Sequence, residues 1–291
     1  MPQVAPIVIT GASSGIGRAA AHMLAREGHP LVLVCREGTK ARAVQAEIIR
    51  VSGNKAVELE TADLSSQAQI RAVAQSIRGK HKAISALINN AGVAFTSRHL
   101  SVDGIEMTFA VNHLAPFLLT NLLLDNLKAG APSRVVTTTS DLQRPLRLDD
   151  LDRTKSYKSF DVYGETKLAN ILFTFELARR LAGTRVTANA GAPGFLRTAL
   201  MRNGTPTVKL MFKIMSVFMM EAPEKGADRI VHATLSPDLA GTSGELFVKN
   251  QPAKASAPAY DTALAAQLWA VSERMTGLVP APTTTTEASQ A

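Results

Sequence analysis

Short runs of consecutive apolar, often β-branched residues alternate with longer amphipathic stretches along most of this chain. That alternation predicts a parallel sheet with crossover helices. Ile7–Thr10 reads as a first strand with a helix over 16–27, and Leu31–Cys35 as a second with a helix over 40–52. A third strand is expected over 56–60, and a helix over 66–78 opened by a serine-rich cap. Ala86–Asn89 is a fourth strand, followed by one long helix over 104–128. A fifth strand over 134–139, a helix over 162–182, a sixth strand over 185–190 and a candidate seventh over 244–248 complete the pattern. Strands apolar at successive positions need both faces covered. The pattern therefore predicts a single α/β domain over 1–279, a doubly wound parallel sheet of about seven strands with helices on both faces. The low-complexity stretch 280–291 is expected to be a disordered tail.

Composition narrows the function classes. The chain has 291 residues, 46% of them hydrophobic, enough for a substantial core. A single cysteine, Cys35, excludes an internal disulfide framework or a multi-cysteine metal site and fits a reducing compartment. The net charge is +8, yet lysines and arginines are scattered without a basic run, so a nucleic-acid partner is not expected. The six histidines show no metal-ligand spacing, and no metal is expected. Neither a leader-like opening nor a window of ~18 uncharged apolar residues is present, and a cytoplasmic protein without a transmembrane segment is expected.

The candidate chemistry starts directly after the first strand, at Thr10-Gly11-Ala12-Ser13-Ser14-Gly15-Ile16-Gly17. Glycines there let the backbone turn tightly and approach a pyrophosphate, whose charge sits at a helix N-terminus. A plain strand–helix connection is the alternative reading. The second strand ends Val34-Cys35-Arg36 with no acid at its tip. Arg36 is then a candidate clamp for a ribose 2′-phosphate, with Arg18 and Lys40 as weaker supports, which favours NADP(H) over NAD(H). Asp63-Leu64 follows the third strand, where an Asp can bond an adenine amino group, and Asn89-Asn90-Ala91-Gly92 follows the fourth at the sheet's carboxyl edge.

Tyr163 and Lys167 fall four apart in a strongly helical stretch, on one helix face. An ammonium near a phenol favours the phenolate, so Lys167 is expected to lower the Tyr163 pKa and fit it for proton exchange with a carbonyl or alcohol oxygen.

TGASSGIG, DL, NNAG, Asn112, Ser140, YGETK and Pro193-Gly194 stand in an order and spacing that resemble the short-chain dehydrogenase/reductase family over roughly 5–250. DGIEMTFAVNHLAPFLLT and KLANILFTFELARRL resemble its retinol-dehydrogenase-like branch. The resemblance implies a Rossmann-type fold and assigns roles. Tyr163 would be the general acid/base. Lys167 would tune it and hold the nicotinamide ribose, and Ser140 would orient the substrate oxygen. Asn112 would keep a water in a proton relay to Lys167. Pro193, Gly194 and Thr198 would lie against the nicotinamide. It also implies a variable substrate loop over about 199–225 and makes a homodimer through the helices around Asn112 and Tyr163 an expectation to test.

Three departures from the family pattern stand out. Ser140 ends VVTTTS as a lone serine, Thr166 replaces the frequent serine before Lys167, and Gly191-Ala192 precedes Pro193 where a bulkier residue is common. The Met- and Phe-rich stretch 208–220 reads in three ways: a lid over an apolar ligand, a core or dimer helix, or an interfacial membrane helix. The expected function is an NADP(H)-dependent oxidoreductase interconverting a carbonyl and its alcohol on a mostly apolar substrate. A catalytically silent NADP(H)-sensing or scaffold protein is the alternative, and a nucleotide-sugar epimerase or dehydratase is a weaker one.

Overall fold

The computed structural model describes residues 4–36, 38–194 and 221–278. One sheet of eight strands organises them, in the order β3-β2-β1-β4-β5-β6-β7-β8. These are β1 (Ile7–Thr10), β2 (Leu31–Cys35), β3 (Val57–Thr61), β4 (Ala86–Asn89), β5 (Ser133–Thr138), β6 (Val186–Ala192), β7 (Leu246–Val248) and β8 (Gln251–Ala253). The first seven pair in parallel, and β8 closes the edge antiparallel to β7. The eighth strand goes beyond the expected seven. It is three residues long and contains Pro252, which an edge strand tolerates but which hides the strand from an apolar-run criterion.

Successive residues of each central strand enter opposite cores, which is why these strands are apolar throughout. Ile7 and Ile9 join one layer and Val8 the other; Leu31, Leu33 and Cys35 oppose Val32 and Val34 in the same way. One layer is roofed by α1 (Gly15–Arg26), α2 (Thr39–Ser52) and a helix over Pro223–Leu235. The other holds α3 (Gln67–Lys80) and the helices after β4 and β5.

The single helix expected over 104–128 is broken in four. A short turn α4 (Met107–Phe109) passes into a π-helical turn (Ala110–Leu114), then α5 (Ala115–Leu122) and α6 (Leu124–Ala129). The wide turn contains Asn112, and single π turns of this kind mark positions where a side chain is re-aimed toward a site. The 22-residue α7 (Ser159–Arg180) carries Tyr163 and Lys167. We number the helix Pro223–Leu235, which the sequence pattern does not reveal, α8, and the last helix, Thr262–Thr276, α9.

α9 lies on α7 and reaches the layer beneath. Its Trp269 ring meets Phe117 of α5 at 4.9 Å and Phe173 of α7 at 5.9 Å, and Arg180 sits 4.1 Å over it. The helices proposed as a dimer face are thus covered by the chain's own C-terminal helix. Among the described residues, no helix is long and apolar enough to cross a membrane. Thr198, the stretch 208–220 and the tail 280–291 lie outside the described residues.

Candidate active site

The strand order reverses between β1 and β4, and the crevice at their carboxyl ends is where ligands bind in such sheets. A cavity of about 470 Å³ opens there. Gly11, Ser13, Ser14, Gly15, Ile16, Arg36, Asp63, Leu64, Asn90, Ala91 and Gly92 line one end of it, and Ser140, Tyr163, Lys167, Pro193 and Gly194 the other. Most of the sequence's scattered motif residues therefore share one space, while Gly17, packed against Asn90, and the buried Asn112 stand behind its wall.

At the nucleotide end, Thr10 ties the glycine turn to the turn after β4. Its hydroxyl accepts from the Asn90 and Ala91 amides at 3.0 Å each, and its carbonyl accepts from Asn90 Nδ2 at 2.9 Å. Gly11 holds φ +72°, and a Cβ there would stand 2.9 Å from Ala91 Cα, so this close approach demands glycine. Ser14 occupies the N-cap of α1 without capping it through its side chain, and no acid sits in the first turn. The amides of that turn are left to an anion, as a pyrophosphate requires. The donor set fits a dinucleotide.

Arg36 stands exposed at the rim of this end. Arg18 does not join it. Both terminal contacts of its guanidinium go to Glu47 at 2.5 Å, so its expected support for a phosphate falls away. Asp63 receives the Ser65 amide and hydroxyl on Oδ1 at 2.9 and 2.8 Å, which fixes its carboxylate at the cavity wall.

At the other end, the Ser140 hydroxyl bonds the Tyr163 phenol and lowers its pKa, but burial outweighs this and holds the phenol above its ordinary value. Lys167, 4% exposed, is pushed down to about 8 by the same cause. Its Nζ lies 3.2 Å from the Thr138 carbonyl oxygen and 5.3 Å from the centre of the Tyr163 ring. The expected lowering of the tyrosine by the lysine is thus not the dominant effect here. Desolvation is the largest influence on both residues and disfavours the charged form of each.

Asn112 is fully buried and fully engaged. Its Oδ1 accepts from the Val93 amide at 2.8 Å, while Nδ2 donates to the Val93 carbonyl at 3.0 Å and to Thr166 Oγ1 at 3.1 Å. The side chain braces the π turn against the loop after β4 and against α7, and makes no direct bond to Lys167. A methyl built on Gly92 would touch both Asn112 Oδ1, at 3.5 Å, and Lys167 Nζ, at 3.8 Å, so the two polar atoms do converge on one small space.

Phe95, Met107, Val111, Leu142 and Phe160 add large apolar side chains to the lining. They come from four separate segments. Only Met107 and Val111, four apart and just before Asn112, carry a signal in the sequence. Thr138 and Thr139 also reach the wall. Thr139 Oγ1 donates to the Lys167 carbonyl at 2.8 Å, which pins α7 to the end of β5 and sets Ser140 beside Tyr163.

A dinucleotide cradle joined to a half-buried tyrosine and serine and a buried lysine at the carboxyl edge of a doubly wound sheet defines a class of dinucleotide-linked oxidoreductases. The chain belongs to the short-chain dehydrogenase family, whose model matches residues 5–209, and within it to the retinol-dehydrogenase-like branch. Retinol dehydrogenase 14 of Homo sapiens is 39% identical over 290 residues, covering 94% of this chain and 86% of that protein. Among solved structures, an uncharacterised protein from Mycobacterium paratuberculosis is 32% identical with a TM-score of 0.75, covering 95% of this chain and 96% of the other. A short-chain dehydrogenase from Sphingobium yanoikuyae, solved in complex with NADPH, is 28% identical with a TM-score of 0.60, covering 77% of this chain and 81% of its own.

Proposed function

We propose that this protein is a cytoplasmic, NADP(H)-dependent oxidoreductase that interconverts a carbonyl and its alcohol on a mostly apolar substrate. The observation that carries this reading is the single cavity joining the uncapped N-terminus of α1 to Ser140, Tyr163 and Lys167. Arg36 at the rim supports the choice of NADP(H), as does the NADPH complex of the Sphingobium relative. The retinol dehydrogenases among its relatives and the apolar lining by Phe95, Met107, Val111, Leu142 and Phe160 support an apolar substrate.

When bound, the nicotinamide supplies or accepts the hydride. The chain's own residues manage the proton and the position. Tyr163, kept neutral by burial, gives its phenolic proton to the carbonyl oxygen during reduction and takes it back during oxidation. The Ser140 hydroxyl holds that same oxygen and bonds the phenol. Lys167 stands behind the ring, where its charge eases formation of the phenolate. The apolar walls hold the rest of the substrate and keep water from the reacting carbon.

Purified protein incubated with NADPH and a panel of aldehydes and ketones of graded size tests the reading. Consumption that favours large apolar members supports it. Tight NADPH binding with no consumption across the panel would establish the sensor alternative.

A further inference from the structure

All three residues between Tyr163 and Lys167 are engaged in holding something. Thr166 takes the Asn112 amide on Oγ1 and donates to the Tyr163 carbonyl at 2.7 Å. Gly164 and Glu165 instead serve the segment 141–158, which runs from Ser140 to the start of α7. The Gly164 carbonyl accepts from the Arg144 amide at 3.2 Å, and a Cβ on Gly164 would stand 2.7 Å from Arg144 Cγ. The segment therefore lies directly on the helix at the residue after the phenol.

Glu165 is the larger anchor. Its side chain is 2% exposed, and both oxygens are occupied by the segment. Oε1 accepts from Arg147 Nε at 3.1 Å and Nη2 at 2.9 Å; Oε2 accepts from the Arg147 amide at 3.2 Å and faces Arg153 Nη2 at 2.5 Å. Arg153 is itself buried, with a left-handed backbone at φ +55° that a non-glycine residue adopts only under constraint. Its Nη1 donates to the Asp150 carbonyl at 2.6 Å, winding the segment around the guanidinium. At the segment's far end, Tyr157 donates toward the Phe95 carbonyl at 3.3 Å and Glu106 at 3.4 Å, linking it to a second wall of the cavity.

The segment's outputs are apolar. Leu142 near its start and Phe160 just past its end both line the cavity. A buried carboxylate with two arginines is a poor general stabiliser, since desolvation offsets much of the attraction, but it tolerates only one geometry. We propose that Glu165 is a positioning residue that, through Arg147 and Arg153, fixes the segment 141–158 as the substrate wall, so that Leu142 and Phe160 meet the substrate at a set distance from Tyr163.

This rests on the oxidoreductase reading above, and the test separates the two. Glu165→Gln strands the buried Arg153 and endangers folding, so the primary variant is Arg147→Gln, whose side chain is 37% exposed. Amide hydrogen exchange over 141–158, NADPH affinity, and kinetics with a small and a bulky apolar aldehyde are measured on the full chain. The expected result is faster exchange confined to 141–158 and a KM for the bulky aldehyde raised about tenfold. NADPH affinity and turnover of the small aldehyde should stay within about twofold, and Arg147→Lys should recover part of the loss. Unchanged exchange over 141–158, or an equal loss of kcat on both aldehydes, would overturn the positioning role. If the unsubstituted protein turns over no aldehyde, the oxidoreductase reading fails, while hydrogen exchange still decides whether Glu165 fixes the segment.

Discussion

Lys167 Nζ sits 5.3 Å from the centre of the Tyr163 ring with its hydrogen bond turned to the Thr138 carbonyl. Burial draws both residues toward neutrality, the lysine down to about 8 and the tyrosine up. For the lysine, the folded chain binds fewer protons than the unfolded one between about pH 8 and its unfolded value of 10.5. Stability from this group therefore rises with pH across that window, and its cost is fully present below about pH 8. Lys167→Met should remove a penalty of roughly 3 kcal/mol at pH 7, and the advantage should shrink toward pH 10. Urea unfolding of cofactor-free protein across this range measures it. A stability difference that does not move with pH would reject the buried, depressed lysine.

Tyr163→Phe keeps the ring and its packing but removes the proton. Turnover in either direction should fall by more than about 100-fold, with NADPH affinity within about twofold of the parent. Steady-state kinetics and fluorescence titration decide it, and residual activity near the parent's would sink the acid/base role.

What the sequence made legible follows from which physics acts locally. Strands buried on both faces announce themselves as apolar runs, and glycines forced by backbone approach, such as Gly11 against Ala91, cannot vary without a clash. The π turn at Asn112 was hidden because tertiary bonds to Val93 and Thr166 hold it, not local propensity. Leu142 and Phe160 were hidden for a similar reason. Their place in the cavity depends on Glu165 docking the segment 141–158 onto α7, a tertiary contact that no local pattern announces.

The two arginines near the glycine turn should behave differently. Arg36 is free of the Glu47 pairing that holds Arg18, and it stands at the cavity rim. Arg36→Asp should shift the NADPH/NADH ratio of kcat/KM toward NADH by at least about tenfold, while Arg18→Ala should leave that ratio nearly unchanged. Equal shifts from both would remove Arg36 as the 2′-phosphate clamp.

Because α9 covers α5 and α7, the 31.0 kDa chain should run as a monomer by light scattering. Trp269→Ala should cost about 3–5 kcal/mol, since the indole, 5% exposed, fills the space between Phe117, Phe173 and Arg180. A stable dimer in the unsubstituted protein would show that another face, or a displaced α9, carries association.

His113 supplies an acid limit to stability. The ring is completely buried, 5.0 Å from Phe109 and 6.2 Å from Phe173, with Nε2 2.8 Å from Ser272 Oγ and Asn170 as a further partner. Burial lowers its pKa to about 3 against 6.5 in the unfolded chain. Between those values the unfolded chain binds the extra proton, so stability present above about pH 6.5 is lost as pH falls toward 3, by on the order of 4 kcal/mol. His113→Phe keeps the aromatic packing but removes the bond to Ser272, whose hydroxyl still donates to the Leu268 carbonyl, a cost of about 1 kcal/mol at pH 7. The variant should therefore be the less stable protein at pH 7 and should lose less stability on acidification, so that the gap narrows or reverses by pH 4. Denaturant midpoints at half-unit pH steps measure both curves. Parallel curves from pH 7 to 4 would mean that His113 does not titrate with unfolding.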